Sequence, residues 1–277
     1  MSIKVAVLFS GQIRNIDPII FNSGLKVFLN GIDADIYIST WDQSGQSGNH
    51  KKHILLSDKN TGVDVKSYLD TAFSGFLPKK TSILKREVLR EKSSPEIMEI
   101  MDSKAYSYMT LNSVAQLFQI KNCYDLVEQK DSYDFFVRAR FDALFVAPLK
   151  LELGNLEQDY VYHINFGRAY FPNRIYDIFF IASRKSSKVF SDAYEKVGSS
   201  VQSKFYNGLD ARDACRILFI CLSDLGLKEK SLAFRYCDVY RNSPRYFFDL
   251  LVWYPFRKPS LRYLTSYIKL VLKHAIN

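Results

Sequence analysis

Between Asp131 and Phe145 the chain reads DSYDFFVRARFDALF, with Arg138, Arg140 and Asp142 set between two apolar runs. Ionised groups are rarely buried unless paired or bound to something. Two readings fit three charges at the carboxyl end of a hydrophobic strand. One is a ligand site, since open α/β sheets bind ligands there. The other is a structural ion pair of Arg138 or Arg140 with Asp142. A second group follows the apolar run Ile3 to Phe9, where Ser10, Gly11, Gln12, Ile13 and Arg14 form a polar turn. Gly11 lets a ligand approach the backbone closely, and the planar guanidinium of Arg14 suits a phosphate. An ordinary strand-to-helix turn fits the same residues, and neither a GxGxxG nor a Walker loop is present. Trp41 closes the next apolar run, either as core packing or as part of a nucleotide pocket. Three carboxylates further on, Asp177, Asp210 and Asp213, are the remaining candidates for acid–base work. Asp177 lies within the run YDIFFIA, on a solvent face or aimed at a site. Asp210 and Asp213 follow Asn207 and Gly208 at an expected helix start, where the helix dipole alone also favours acids.

The elements that position these residues are legible as a βα alternation. Ile3 to Phe9 reads as a buried first strand. Asp17 and Pro18 open a helix that stops near Asn30 and Gly31. Asp35 to Thr40 reads as the second strand. Gln43 to Gly62 is a polar loop of a length usually reserved for lids or disorder. A short helix over Val63 to Phe73 and a third strand over Lys80 to Lys85 follow, and Pro95 to Met101 begins a helical region. The strongest helix spans Ala105 to Gln129, with Leu111, Ala115, Phe118, Asn122 and Leu126 at three-to-four spacing. Val114, Leu117, Ile120 and Val127 widen its apolar side, and Ser113, Gln116, Gln119 and Lys121 supply polar positions. After Pro148, strands are expected over Gln158 to Asn165 and Tyr176 to Ala182. Helices follow over Ser186 to Val197 and Leu209 to Leu225, then a last strand over Leu232 to Tyr240. The order implies an α/β fold, a Rossmann-like, mostly parallel sheet with helices on both faces and a smaller α+β part after it.

The 277 residues, 47% hydrophobic and 24% charged, are enough to bury a sizeable core. Four cysteines show no CxxC spacing and four histidines no HExxH or zinc-finger pattern, which argues against a zinc site. No signal core and no membrane-length apolar run is present, so a cytoplasmic setting with reduced thiols is expected. The net charge of +9 is compatible with nucleic acid, a phosphate-rich ligand or an anionic membrane. From Arg235 to Lys273 there are eight Lys or Arg and two Asp, so about two thirds of that excess lies in the last sixth of the chain. Tyr246 to Phe256 is dense in aromatics. Ser260 to Ile276 sets Leu261, Leu264, Ile268, Val271 and Ala275 against Arg262, Lys269 and Lys273. A basic amphipathic helix behind an aromatic segment fits a membrane interface, or packs back on the domain with a solvated basic face.

Taken together, VAVLFSGQIR, Trp41, AQLFQIKNCYDL and YDFFVRARFDALF resemble bacterial GT-A-type glycosyltransferases of lipopolysaccharide O-antigen or capsule biosynthesis, over roughly residues 1–240. The resemblance implies a GT-A-like catalytic domain over 1–240, with a nucleotide-binding half at 1–145 and an acceptor half at 146–240, followed by the 241–277 tail. It implies transfer of a sugar from a nucleotide-diphosphate donor to a lipid-linked or surface-polysaccharide acceptor. Gly11, Gln12, Arg14, Trp41, Arg138 and Arg140 would then meet the donor. The family's metal motif, Asp-x-Asp, reads Arg140-Phe141-Asp142 here. Asp142 is the candidate ligand for Mg²⁺ or Mn²⁺, and Arg140 is a candidate to neutralise the diphosphate in the metal's place. An inverting transfer needs a base for the acceptor hydroxyl, with Asp210, Asp213 and Asp177 the candidates. The expected setting is the cytoplasmic side of the inner membrane, contacted through 246–276, with no nucleic-acid partner. The competing reading is a non-catalytic basic protein that binds nucleic acid or scaffolds a membrane complex, though no helix-turn-helix, RNP or KH signature appears.

Overall fold

A computed structural model describes residues 3–13, 17–43, 64–103, 108–145, 148–164, 175–202, 205–206, 209–210, 214–232 and 237–239. The expectations for Arg14, for nearly all of the 43–62 loop, for Asp213 and for the 241–277 tail lie outside these residues.

The chain begins with β1 (Lys4–Ser10) and α1 (Pro18–Phe28). Asp17 caps α1 as its sequence suggests, accepting from the Ile19 and Ile20 N–H groups at 2.8 and 3.2 Å. Next come β2 (Asp33–Trp41), α2 (Val65–Ala72), capped by Asp64, and β3 (Lys80–Leu84). Three helices follow, α3 (Glu87–Glu91), α4 (Pro95–Asp102) and α5 (Tyr108–Asp125). Then come β4 (Phe135–Ala139), β5 (Ala143–Phe145), α6 (Lys150–Leu153), β6 (Tyr160–His163) and β7 (Phe179–Ser183). The last elements are α7 (Val189–Glu195), α8 (Val197–Gln202), β8 (Phe205–Tyr206), β9 (Leu209–Asp210), α9 (Ala214–Asp224), β10 (Lys228–Ser231) and β11 (Cys237–Val239).

Seven strands form one sheet in the order β10-β6-β7-β4-β1-β2-β3. Only β7 runs against the others, because its pairings with β4 and β6 are antiparallel while the remaining four are parallel. The expected α/β class therefore holds. Strand alternation sorts the core into two layers. Val5, Val7 and Phe9 of β1 join Phe135, Val137 and Ala139 of β4 against α1 and α2. Ala6, Leu8 and Phe136 face the opposite side with Tyr37 and Trp41, against α5, α7 and α9.

The differences from the sequence expectations are local. Tyr176 and Asp177 precede their strand rather than lie in it, since β7 starts at Phe179. The helix expected from Leu209 starts at Ala214, and Asp210 sits in β9, paired with Phe205. β8 and β9 flank Asn207-Gly208, the dipeptide that most favours a hairpin, where a helix lead-in had been expected. The last strand expected over 232–240 is β11, antiparallel to β5 in a separate pair, and it is preceded by an edge strand of the main sheet that was not expected, β10. The β10 sequence KEKS has no apolar alternation to betray it, which is common for an edge strand.

Candidate functional site

Strand order reverses at β1, because β2 and β3 lie to one side of it and β4 to the other. Such a reversal leaves a crevice outside the carboxyl ends of the two diverging strands. Gly11 follows β1 and Arg138 ends β4, so the two straddle that crevice. In register, Leu8 stands opposite Arg138 and Ser10 opposite Ser39. Gly11 adopts a φ of +114°, where an L side chain is strained, and its N–H donates to the Ser39 carbonyl at 3.1 Å. Gly11, Gln12, Trp41, Asn112, Ala115, Gln116, Arg138 and Arg140 line an open cleft here.

Alternation along β4 puts Arg138 on the face of Phe136, beneath α5, and removes it fully from solvent. Its Nε donates to Ser10 Oγ and its Nη2 to the Ser10 carbonyl, both at 3.2 Å. Nη1 has no hydrogen-bond acceptor and stands 3.8 Å from Asp177 Oδ2. Burial pushes this guanidinium down to about 10, against the opposing pull of Asp177, so it is still cationic at neutral pH. A buried cationic donor without an acceptor is costly, and the residue that carries it lines the cleft.

Arg140 is held differently. Its N–H donates to the Ile178 carbonyl at 3.0 Å, and its carbonyl accepts from the Ala143 N–H at 3.2 Å. The resulting turn swings Asp142 back onto the Arg140 side chain. Nε donates to Asp142 Oδ1 at 2.7 Å, Nη2 donates to Oδ2, and Nη1 lies 3.5 Å from Asp177 Oδ2. Burial lowers the Arg140 pKa, but the two carboxylates outweigh it and the net shift is upward. Asp177 completes the cluster through Oδ1, which accepts from Cys215 Sγ at 3.3 Å.

This cluster decides how well the residues suit a divalent cation. Both Asp142 oxygens already accept from one guanidinium, and the carboxylate is nearly inaccessible, at 5%. Among the described residues no three His, Cys, Asp or Glu side chains gather into a metal-binding set. A cation at Asp142 would stand against Arg140 itself, so the donor set does not fit Mg²⁺ or Mn²⁺.

The sequence-derived candidates thus divide. Gly11, Gln12, Trp41, Arg138 and Arg140 come together in the cleft, and Asp142 and Asp177 support the arginines from behind. Trp41 packs in the core, stacked on Phe118 at 5.9 Å and 2% exposed, and is also one of the residues that line the cleft. The Asp210 side chain and Asp213 lie outside the described residues. Reasoning from sequence missed Ser10, Asn112 and Gln116. The last two are carboxamides one helical turn apart on α5, a spacing that marks a shared face. A shallow surface depression lined by Asp134, Gln158, Arg184 and Lys185 lies near the amino end of β4. Its charges are already matched, Arg184 by Asp134 and Lys185 by Asp159.

No protein-family model matches the chain, and no curated protein matches it in sequence. Among solved structures, the chain is similar to the apo form of mouse xyloside xylosyltransferase 1, at 8% identity and a TM-score of 0.41, over 83% of this chain and 84% of that one. The likeness assigns no role to any residue described above.

Proposed function

We propose that the chain is a glycosyltransferase that takes a sugar from a nucleotide-diphosphate donor. The observation that carries this reading is the buried Arg138, which lines a cleft at the strand-order reversal and keeps one guanidinium nitrogen, Nη1, without an acceptor. An anion is the chemistry that such a donor lacks. The rest of the lining agrees with a sugar nucleotide. Gln12, Asn112 and Gln116 offer neutral carboxamides able to donate to and accept from hydroxyls and base edges, and among the described residues no carboxylate lines the cleft. In the transfer, Arg138 holds the diphosphate and stabilises the charge that grows on it as the glycosidic bond breaks. Asp177 is engaged by Arg140 and Cys215, so the acceptor's general base is sought at Asp210 or Asp213. The acceptor is a lipid-linked or surface-polysaccharide glycan reached at the inner face of the cytoplasmic membrane, as the basic, aromatic 246–276 sequence and the resemblance to O-antigen and capsule enzymes suggest.

Isothermal titration with UDP, GDP and CMP tests the reading. One nucleotide should bind the wild type, and Arg138→Gln should bind it at least tenfold more weakly while unfolding at a similar temperature. Wild type that binds none of them is not this enzyme.

A further inference from the structure

Four charges meet behind the cleft, Arg138 and Arg140 against Asp142 and Asp177, and the two carboxylates are held very unequally. Asp142 grips Arg140 through two parallel hydrogen bonds, the strong fork-on-fork geometry. Asp177 holds Arg140 Nη1 only through a long hydrogen bond of 3.5 Å, and Arg138 Nη1 stands 3.8 Å away, beyond hydrogen-bonding range. Its third contact, at 3.3 Å, comes from a thiol, a weak donor. It also stands in the short segment before β7 rather than in the strand itself. Asp177 therefore balances the charge of two guanidiniums while giving one long hydrogen bond to Arg140 alone, and Arg138 Nη1 is left with no acceptor.

We infer that Arg138 and Arg140 form a metal-independent seat for a diphosphate, in which Asp177 is a provisional counter-ion that the incoming anion displaces. Asp142 is a positioning residue that fixes the plane of Arg140. This deepens the sugar-nucleotide reading by naming what neutralises the diphosphate, and as a statement about the anion seat it can be tested without a nucleotide. With all four groups charged the cluster sums to zero, so a diphosphate entering it must compete with a carboxylate. The one with long contacts yields first. The metal alternative instead makes Asp142 a cation ligand, so that pyrophosphate binding would require Mn²⁺ and losing Asp177 would not strengthen it.

The sign of one isosteric substitution separates the two. Inorganic pyrophosphate and the nucleoside diphosphates are titrated into wild type, Asp177→Asn and Arg138→Gln, each in EDTA and in Mn²⁺. Asp177→Asn should bind pyrophosphate about tenfold more tightly, the order expected when a nearby competing charge is removed. Arg138→Gln should bind at least tenfold more weakly, and wild type should be indifferent to EDTA. Weaker or unchanged binding by Asp177→Asn overturns the inference, and so does wild-type binding that requires Mn²⁺. The EDTA comparison on wild type decides the matter even if the variant folds poorly. Should pyrophosphate show the expected pattern while no nucleotide binds, the seat stands and the sugar-nucleotide reading falls.

Discussion

Asp35 sits near the amino ends of the strands whose carboxyl ends hold Arg138, and the two residues keep charge near a sheet in contrasting ways. Arg138 is fully buried with a donor left over, an arrangement tolerated only where something else repays it. Asp35 is partly exposed and fully served. Tyr133 donates to it at 2.7 Å, the Tyr133 hydroxyl also bonds that of Tyr37 at 2.8 Å, and the Lys4 and Lys79 ammonium groups stand at 3.4 and 3.6 Å. Burial raises the Asp35 pKa, but these partners outweigh it and the folded value falls below 3.8. A carboxyl with a depressed folded pKa adds stability that is present above its unfolded value, about 3.9, and is lost as pH falls through the folded one. Wild type should accordingly exceed Asp35→Asn in stability at pH 7, and the gap should close on going from about pH 5 towards pH 3. Denaturant titrations of both proteins across that range check this; a gap independent of pH would show that the carboxylate's charge contributes nothing.

Helix α5 is the element on which the site depends most. Its Asn112, Ala115 and Gln116 form one wall of the cleft, while Val114, Leu117 and Phe118 hold it to the sheet and neighbouring helices. Its intervening polar residues also face protein rather than water. Ser113 is 3% exposed and accepts from the Ala214 N–H at 2.9 Å, which ties the first turn of α9 to α5 beside Asn112. Gln119 accepts from Ser39, which in turn accepts from Asn122 at 2.8 Å. Ser113→Ala would strand a buried N–H at the start of α9, so a loss of roughly 1–3 kcal/mol is expected in urea unfolding. A loss below about 0.5 kcal/mol would mean that the contact does not fasten α9. The same helix shows what the sequence conveyed and what it withheld. Its existence and apolar spacing were plain, because three-to-four periodicity is local. Ser113, Gln116 and Gln119 read only as polar positions, because the α7 and α9 layers packed against the helix arrive about 70 to 100 residues later in the chain. The cleft arginines were legible for the complementary reason, since charge following an apolar strand is unusual over a few residues. An ion pair of Arg140 with Asp142 was one of the two readings those residues allowed, but its bidentate form depends on a turn closed by the Arg140 carbonyl and the Ala143 N–H.

At the scale of the whole molecule, the question is how a domain with no described helix apolar and long enough to cross a membrane would work on a lipid-linked acceptor. Charge distribution supplies an answer. Of the net +9, six units arise between Arg235 and Lys273, eight basic residues less two acidic ones. Deleting residues 257–277 removes Arg257, Lys258, Arg262, Lys269 and Lys273 and no Asp or Glu. A basic residue near an anionic bilayer contributes about 1 kcal/mol at low salt, enough for five to matter even after ordering costs. Apolar insertion by Leu261, Leu264, Ile268 and Val271 would add an increment that salt does not screen. Truncation after Phe256 should therefore abolish sedimentation with vesicles containing anionic lipid, while leaving nucleotide affinity unchanged. Wild type should be bound partly even at ~0.5 M salt, where polybasic attraction alone is largely screened. Equal sedimentation of the truncated and full-length proteins would exclude the tail as the anchor. Complete release of wild type by salt would keep the electrostatic contact but remove the inserted helix.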